Sequence, residues 1–396
     1  MPISELKRIG LLLHEDSAFI RGVLQGVIQY ARPGRPWVFR TFRPDGPVKL
    51  ELRSWRPHGL ITHIADHNDA QMVLDTHLPA VDVSGNMQDN PLPRIPLDDA
   101  AIGATAAHHL LQRGFVHLAA LSYHQAAFAQ ARVNGFTTTV AGHHREAVVS
   151  QFLIPLGQLR RRNARARIVA DRRLRQWLVN LPKPVGVLAV NDELGLILTE
   201  ACREQGIHVP EQVAVVGVDA DDLICSMAHP PLSSVALPVR SLGYAAAQML
   251  DRLMQGHKPS VPAPLAPLDV RTRQSTDIMA IVDEDLAAAL RFIRLHACEP
   301  IAMPDLLQQV PVSRRSLERR FRLILGRTFL QELQRVRVEM AQQMLASTNL
   351  PMPLIAQRCG LGTGKQLSTL FHTLTGETPR SFRQRSRLSL SPTDVA

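Results

Sequence analysis

The feature that most restricts this chain is an alternation running through its first 275 residues. Apolar runs of strand length stand at RIGLLLH (8–14), WVFRTF (37–42), HGLITHI (58–64), PAVDVSG (79–85), VHLAALS (116–122), VVSQFLI (148–154), VGVLAV (185–190) and VAVVGV (213–218). Between several of them, apolar residues recur every three or four positions: 18–31, 99–114, 124–142, 192–206 and 239–256. Strands joined by crossover helices pair in parallel, and a parallel sheet needs helices on both faces, so doubly wound α/β architecture is expected. A chain of 396 residues exceeds one ordinary core. Two such lobes fit residues 1–275, with crossings expected near 120–125 and 230–240.

Ligands of doubly wound sheets bind beyond the carboxyl ends of the strands. Asp192 and Asp219 follow two of the later strands, and His14, Glu15 and Asp16 follow the first. Phe19 and Arg21 open the next helix, and Arg132 lies in RVNGF. Carboxylates accept hydrogen bonds from vicinal hydroxyls, a guanidinium donates in pairs, and an aromatic ring stacks on a sugar face. Asp192 and Asp16 also suit helix N-caps, and the residues alone leave both roles open.

No feature marks catalysis. The first strand is followed by neither a G-x-G-x-x-G turn nor a P-loop, and G-x-S-x-G and H-E-x-x-H are missing. The pairs His108–His109 and His143–His144 lack a third ligand at metal spacing, and Cys202, Cys225, Cys298 and Cys359 are scattered. Neither an enzyme, a cofactor nor a metal is expected, and the cysteines fit a reducing compartment. The opening MPISELKRIGLLLHEDS makes a poor signal peptide, and no apolar run approaches the ~20 residues of a membrane helix. A cytoplasmic location without membrane contact is expected. The eight arginines between Arg160 and Arg175 receive no role.

After an expected linker at 276–285, residues 286–390 change character. Two helix-turn-helix units are expected at 303–324 and 353–373, joined by one long helix over TFLQELQRVRVEMAQQMLAS. In the first, Leu317, Phe321 and Ile324 form the inward stripe, Pro311 stops the leading helix and Ser313 caps the second. Its outer face carries Arg314, Arg315, Glu318, Arg319 and Arg322, with Ser316 beside them, side chains suited to phosphates and guanine edges. In the second unit Gly360 supplies the turn, and Thr363, Lys365, Gln366 and Thr369 face outward. Gly364 is expected to weaken that helix by about 1 kcal/mol. Charge follows the same division. From Asp285 onward there are 16 Lys+Arg against 8 Asp+Glu, compared with 29 against 27 before it. The attraction for a polyanion is concentrated in the tail.

The tail resembles the DNA-binding domain of AraC/XylS-type transcription regulators, through IAQRCGL, Phe371 and the closing GETPRSFR; Pro311 stands where that family usually has Gly. The preceding region resembles LacI/GalR-type effector domains, of periplasmic sugar-binding fold. The matching blocks are LPAVDVSG, LDDAAIGATAAHHLLQRGFVHLAALS, RVNGF, VLAVNDELGL, QGIHVPEQVAVVGVDADD and LSSVALPVRSLGYAAAQMLDRLMQG. Together the two parts are similar to regulators that respond to xylose. The resemblance implies a pentose effector, D-xylose, and a homodimeric activator acting on operator half-sites, with RNA polymerase as a further partner. A regulator of another sugar, an α/β enzyme with a nucleic-acid tail, and a constitutive DNA-binding structural protein are the competing readings.

Overall fold

The computed structural model describes residues 6–388 except 14–16, 32–35, 44–47, 144–147, 159–162, 261 and 279–282. The chain forms two compact units, Met1–Ala280 and Ile281–Ala396.

The first unit contains two sheets. The first lobe begins with β1 (Lys7–Leu12), α1 (Ala18–Ala31), β2 (Trp37–Phe42), α2 (Val48–Trp55), β3 (Gly59–Thr62), α3 (His67–Leu74) and β4 (Ala80–Asp82). Its four strands are parallel in the order β2-β1-β3-β4. The second lobe contains α4 (Asp99–Leu111), β5 (His117–His124), α5 (Ala127–His143), β6 (Ser150–Pro155), α6 (Ala164–Val169), α7 (Arg172–Asn180) and β7 (Val185–Ala189). It continues through α8 (Asp192–Glu204), β8 (Val213–Asp219), α9 (Asp222–Met227) and β9 (Ser233–Ala236). Then α10 (Val239–Met254) returns to the first lobe, and β10 (Val270–Arg271) closes the second sheet in the order β10-β9-β8-β7-β5-β6. Only β10 runs antiparallel there. Every residue of β3 and of β7 is buried, as strands covered on both faces require.

The crossings differ from the expectation. The chain first changes lobe over 83–98, not near 120–125. The cause is α4, whose Leu110 packs beside β7, so β5 is already a strand of the second sheet, between β6 and β7. The second crossing falls at 237–238, as expected, and places Leu242, Ala246 and Leu250 of α10 in one core with Ile9, Val23 and Ile61. A third crossing, over 255–269, was not foreseen. Its Leu265 exchanges backbone hydrogen bonds with the first crossing: Asp98 N donates to Leu265 O at 2.9 Å, and Leu265 N to Pro96 O at 2.9 Å.

The second unit is all helical: α11 (Glu284–His296), α12 (Met303–Leu307), α13 (Arg314–Leu325), α14 (Phe329–Ser347), α15 (Met352–Arg358), α16 (Gly364–Thr375) and α17 (Pro379–Leu388). Leu317 and Phe321 are fully buried on α13, but Ile324 is 40% exposed and does not continue the stripe. The helix stops at Gly326 (φ 67°), and Leu325 is the half-buried residue of that last turn. α12 ends at Leu307, before Pro311, and the turn into α13 contains no residue of positive φ. That is why proline is tolerated where the related family has glycine. The second turn does use Gly360 at φ 69°, where a Cβ would lie 2.9 Å from the carbonyl oxygens of Ala297 and Cys298. Among the described residues no helix is long and apolar enough to cross a membrane.

Candidate functional site

A cleft of about 930 Å³ opens in the first unit, lined by both lobes and by the first crossing. It gathers Phe19, Arg21, Arg132, Asp192 and Asp219, scattered over 200 positions of sequence. His14, Glu15 and Asp16 lie outside the described residues.

Arg132 is the most constrained of these groups. It projects from α5, is 4% exposed, and donates from Nε to Asp99 Oδ1 at 2.9 Å and from Nη1 to the Val190 carbonyl at 2.6 Å. Its guanidinium lies 4.8 Å from the centroid of Phe128, an arrangement that adds a cation–π attraction. Asp99 begins α4, which Asp98 caps by accepting from Ala101 N at 2.9 Å. Burial raises the Asp99 carboxyl, and the Arg132 charge works against that rise.

Asp192 occupies a different position from the one its sequence suggests. It is 1% exposed, and both carboxylate oxygens are used internally. Oδ1 accepts from Ser234 Oγ at 2.5 Å; Oδ2 accepts from Asp221 N at 2.8 Å and Cys225 Sγ at 3.3 Å. Burial pushes its carboxyl well above the ordinary range. The N-cap of α8 is Asn191, which accepts from Leu194 N at 3.0 Å and donates from Nδ2 to Tyr123 OH at 3.1 Å. Asp192 thus holds the turn after β8 rather than capping its own helix. In that turn Asp219 (φ 109°) and Ala220 (φ 52°) adopt conformations that residues with a Cβ seldom take. The strain projects Asp219 toward the cleft. Asp221 follows it, capping α9 and accepting from Ala18 N at 3.3 Å. Ala18 begins α1, so this bond joins the two lobes across the cleft.

Phe19 meets His63 edge to face, with ring centroids 6.1 Å apart, and Arg21 is exposed at the rim. Asn191, Asp221, Asp99, Tyr123 and Phe128 were missed in the sequence. Asn191 and Asp221 lie one and two positions from Asp192 and Asp219, so a window two residues wider would have included them.

In the second unit, Ser313 caps α13 by accepting from Ser316 N at 3.3 Å. Arg315, Arg319 and Arg322 are exposed, whereas Arg314 Nε is bound to Glu318 Oε1 at 2.8 Å. Arg320 turns inward to Asp283 (2.6 Å) and Asp285 (2.8 Å), fastening α13 to the start of α11. On α16, Thr363 and Gln366 form a capping box: Gln366 N donates to Thr363 Oγ1 at 3.2 Å, and Thr363 N to Gln366 Oε1 at 3.0 Å. Lys365 and Thr369 are exposed beside them. Gly364 stands at the first helical position, not in the interior, so the expected weakening of this helix does not apply. The arginine run is largely neutralised where it is described: Arg165 pairs with Glu200, Arg173 with Asp171 and Arg175 with Glu204.

Comparison with known proteins fits both halves. Residues 107–276 match the periplasmic binding protein-like domain, and residues 306–385 match a helix-turn-helix domain. The xylose operon regulatory protein of Escherichia coli K12 is 29% identical over 385 residues, covering 95% of this chain and 96% of its own length. Over nearly its whole length the chain is similar to the xylose operon regulatory proteins. Its counterpart in Haemophilus influenzae is 27% identical over 387 residues, covering 95% of this chain and 98% of its own length. The solved structure of a xylose-binding transcription activator superposes with a TM-score of 0.79 at 27% identity, covering 97% of this chain and 99% of its own. A LacI-family regulator from Enterococcus faecium with bound ribose shares the fold of the first unit, with a TM-score of 0.56 at 22% identity, covering 69% of this chain. The chain is therefore a DNA-binding transcription regulator: a periplasmic-binding-protein-like effector domain followed by an all-helical domain of AraC type.

Proposed function

We propose that the chain is a cytoplasmic activator of pentose utilisation genes whose effector is D-xylose. The observation that carries this reading is the electrostatic balance of the cleft. Acidic groups (Asp98, Asp99, Glu193, Asp219, Asp221) outnumber the arginines (Arg21, Arg94, Arg132) along its walls, even leaving aside the buried Asp192. Such a site repels a phosphorylated or acidic sugar, while offering a neutral polyol many acceptors and a few fixed donors. Arg132 and Asp219 are the primary ligand groups, Phe19 and Arg21 flank the entrance, and Asp192 acts through the turn that it holds. Glu15 and Asp16, which follow the first strand in the sequence, are proposed as further ligand groups.

Residues 1–275 form the effector part and 276–285 the linker, with 286–390 reading DNA. In the latter, Ser313, Arg314, Arg315, Ser316, Glu318 and Arg319 contact the first half-site, and Thr363, Lys365, Gln366 and Thr369 the second. The 19-residue α14 between them is about 28 Å long, near the ~34 Å repeat of the major groove. A homodimer on repeated half-sites, with RNA polymerase alongside, completes the reading. Sugar would bind the closed lobes better and so shift their population. Calorimetric titration of the full chain tests it. Micromolar to low-millimolar binding of D-xylose, with glucose and arabinose clearly weaker, is expected. Saturable binding of a hexose or a phosphorylated sugar, with no heat from any pentose, overturns it.

A further inference from the structure

α4 joins the cleft to the point where the chain leaves the first unit. Its first residue, Asp99, pairs with Arg132 at the cleft wall. Its last turn reaches Thr276, which is fully buried and precedes the capping residue of α11, Asp283, by only six intervening positions. Thirteen helical residues place these ends about 20 Å apart.

The grip on Thr276 is complete. Arg113 Nη1 donates to His109 Nδ1 at 3.1 Å, which leaves Nε2 as the protonated ring nitrogen. Nε2 then donates to Thr276 Oγ1 at 2.7 Å, and the Thr276 hydroxyl donates to Ser233 Oγ at 2.7 Å. The Ser233 hydroxyl in turn donates to the Arg273 carbonyl at 2.8 Å. Arg113 Nε holds the Thr276 carbonyl at 2.7 Å. Burial keeps His109 neutral by lowering its pKa to about 3, in keeping with this order of donors.

The other end is equally stiff. A Cβ on Gly103 of α4 would lie 1.8 Å from the Arg132 carbonyl oxygen, and one on Gly135 of α5 would lie 2.0 Å from that of Ala100. The two helices touch backbone to backbone, with no side chain between them at these glycines. Arg132 is held on three sides, by Asp99, the Val190 carbonyl and the Phe128 ring. A hydroxyl that engages Arg132 or Asp99 thus meets groups fastened to both helices.

We propose that α4 is the lever through which occupancy of the cleft repositions the chain's exit toward the DNA-binding domain, with His109 and Arg113 as its grip on Thr276. The inference rests on the reading of the cleft as the effector site. The two are tested together on the full chain, with D-xylose and a duplex selected by the chain from a random library. Thr276→Val removes the hydroxyl at constant shape, and Arg113→Lys keeps the charge but cannot hold the Thr276 carbonyl, the His109 carbonyl (3.0 Å from Nη1) and the His109 ring at once. Both variants are expected to bind D-xylose within about twofold of wild type, while the sugar-dependent change in duplex affinity falls at least about fivefold. Should the valine variant fail to fold, the lysine variant carries the same expectation. An undiminished sugar response in a folded variant overturns the lever and leaves the effector reading intact. Loss of D-xylose affinity itself would place the clamp in the ligand site and also overturn it. A wild-type chain that ignores D-xylose altogether overturns the effector reading and the lever with it.

Discussion

Ser234 donates its hydroxyl hydrogen to Asp192 across 2.5 Å, in surroundings that leave Asp192 1% exposed. The bond decides how the far wall of the cleft is built. The same carboxylate holds Asp221 N, and Asp221 in turn caps α9 and meets α1 of the other lobe. Replacing Asp192 by Ala is expected to strand these donors at ~1–3 kcal/mol each and to abolish sugar-induced stabilisation indirectly. Asp192→Asn keeps a carbonyl acceptor and an amide donor in place and is expected to fold. Burial raises the carboxyl pKa of Asp192, so the folded chain holds its proton above the pH at which the unfolded chain loses it. Its contribution is fully present below the unfolded pKa and is lost as pH rises through the folded value. Thermal melting of wild type and the asparagine variant from acidic to mildly alkaline pH should show wild type losing ground as pH increases. Parallel melting profiles would refute this.

His109 has the opposite sign. Its pKa is lowered to about 3 by burial, so below about 6.5 the unfolded chain binds a proton that the folded chain refuses. Stability is expected to fall as pH drops from about 6.5 toward 3. His109→Gln, which offers a neutral donor, should flatten that part of the profile in a melting series.

Arg132→Lys preserves charge but cannot reach Asp99 and the Val190 carbonyl together, nor lie flat on Phe128. We expect D-xylose affinity to drop tenfold or more, at least about 1.4 kcal/mol, with sugar-free DNA affinity unchanged. Calorimetry beside a duplex-binding titration separates the two effects.

On α13, alanine at Arg315 or Arg319 is expected to cost about 1–3 kcal/mol of operator affinity and to relax discrimination at the base pair read. Alanine at Arg314 should cost less, since that side chain is already tied to Glu318. Should a folded double variant at 315 and 319 bind the selected duplex with wild-type affinity and salt dependence, α13 is not the reader.

Gly103→Ala places a methyl 1.8 Å from the Arg132 carbonyl oxygen, where only backbone movement makes room. A loss of about 1–3 kcal/mol or more in denaturant unfolding is expected, together with weakened sugar binding as α5 shifts. Unchanged unfolding would mean that the helices can separate freely.

Much of this architecture was legible in the sequence because it obeys periodicity. Fully apolar runs such as 185–190 could only be covered strands, and the caps at Ser313 and Thr363 announced their helices. The first crossing was misplaced because periodicity reveals that α4 is a helix but not which sheet it covers. Asp192 was left between a ligand and a structural role because a carboxylate after a strand looks the same whether it serves the cleft or binds Ser234. Arg132 depends on Asp99, 33 positions away, and no local pattern ties the two together. Gly103 and Gly135 are ordinary helix residues until α4 and α5 are seen touching. The arginine run likewise gained meaning only when Glu200 and Glu204 from α8 were brought beside it.

The second crossing has a consequence for how the chain is made. α10 supplies Leu242, Ala246 and Leu250 to the core around Ile9, Val23 and Ile61, yet it is synthesised after nearly all of the second lobe. A nascent chain that has emerged as far as β9 therefore has one flank of its first sheet bare. Domains generally fold N-terminal first during synthesis, but here the amino-terminal lobe must wait for residue 254. The lobe that begins first stays incomplete until most of the second has been made, and a ribosome stalled between 180 and 238 would expose the apolar surface that α10 is built to cover.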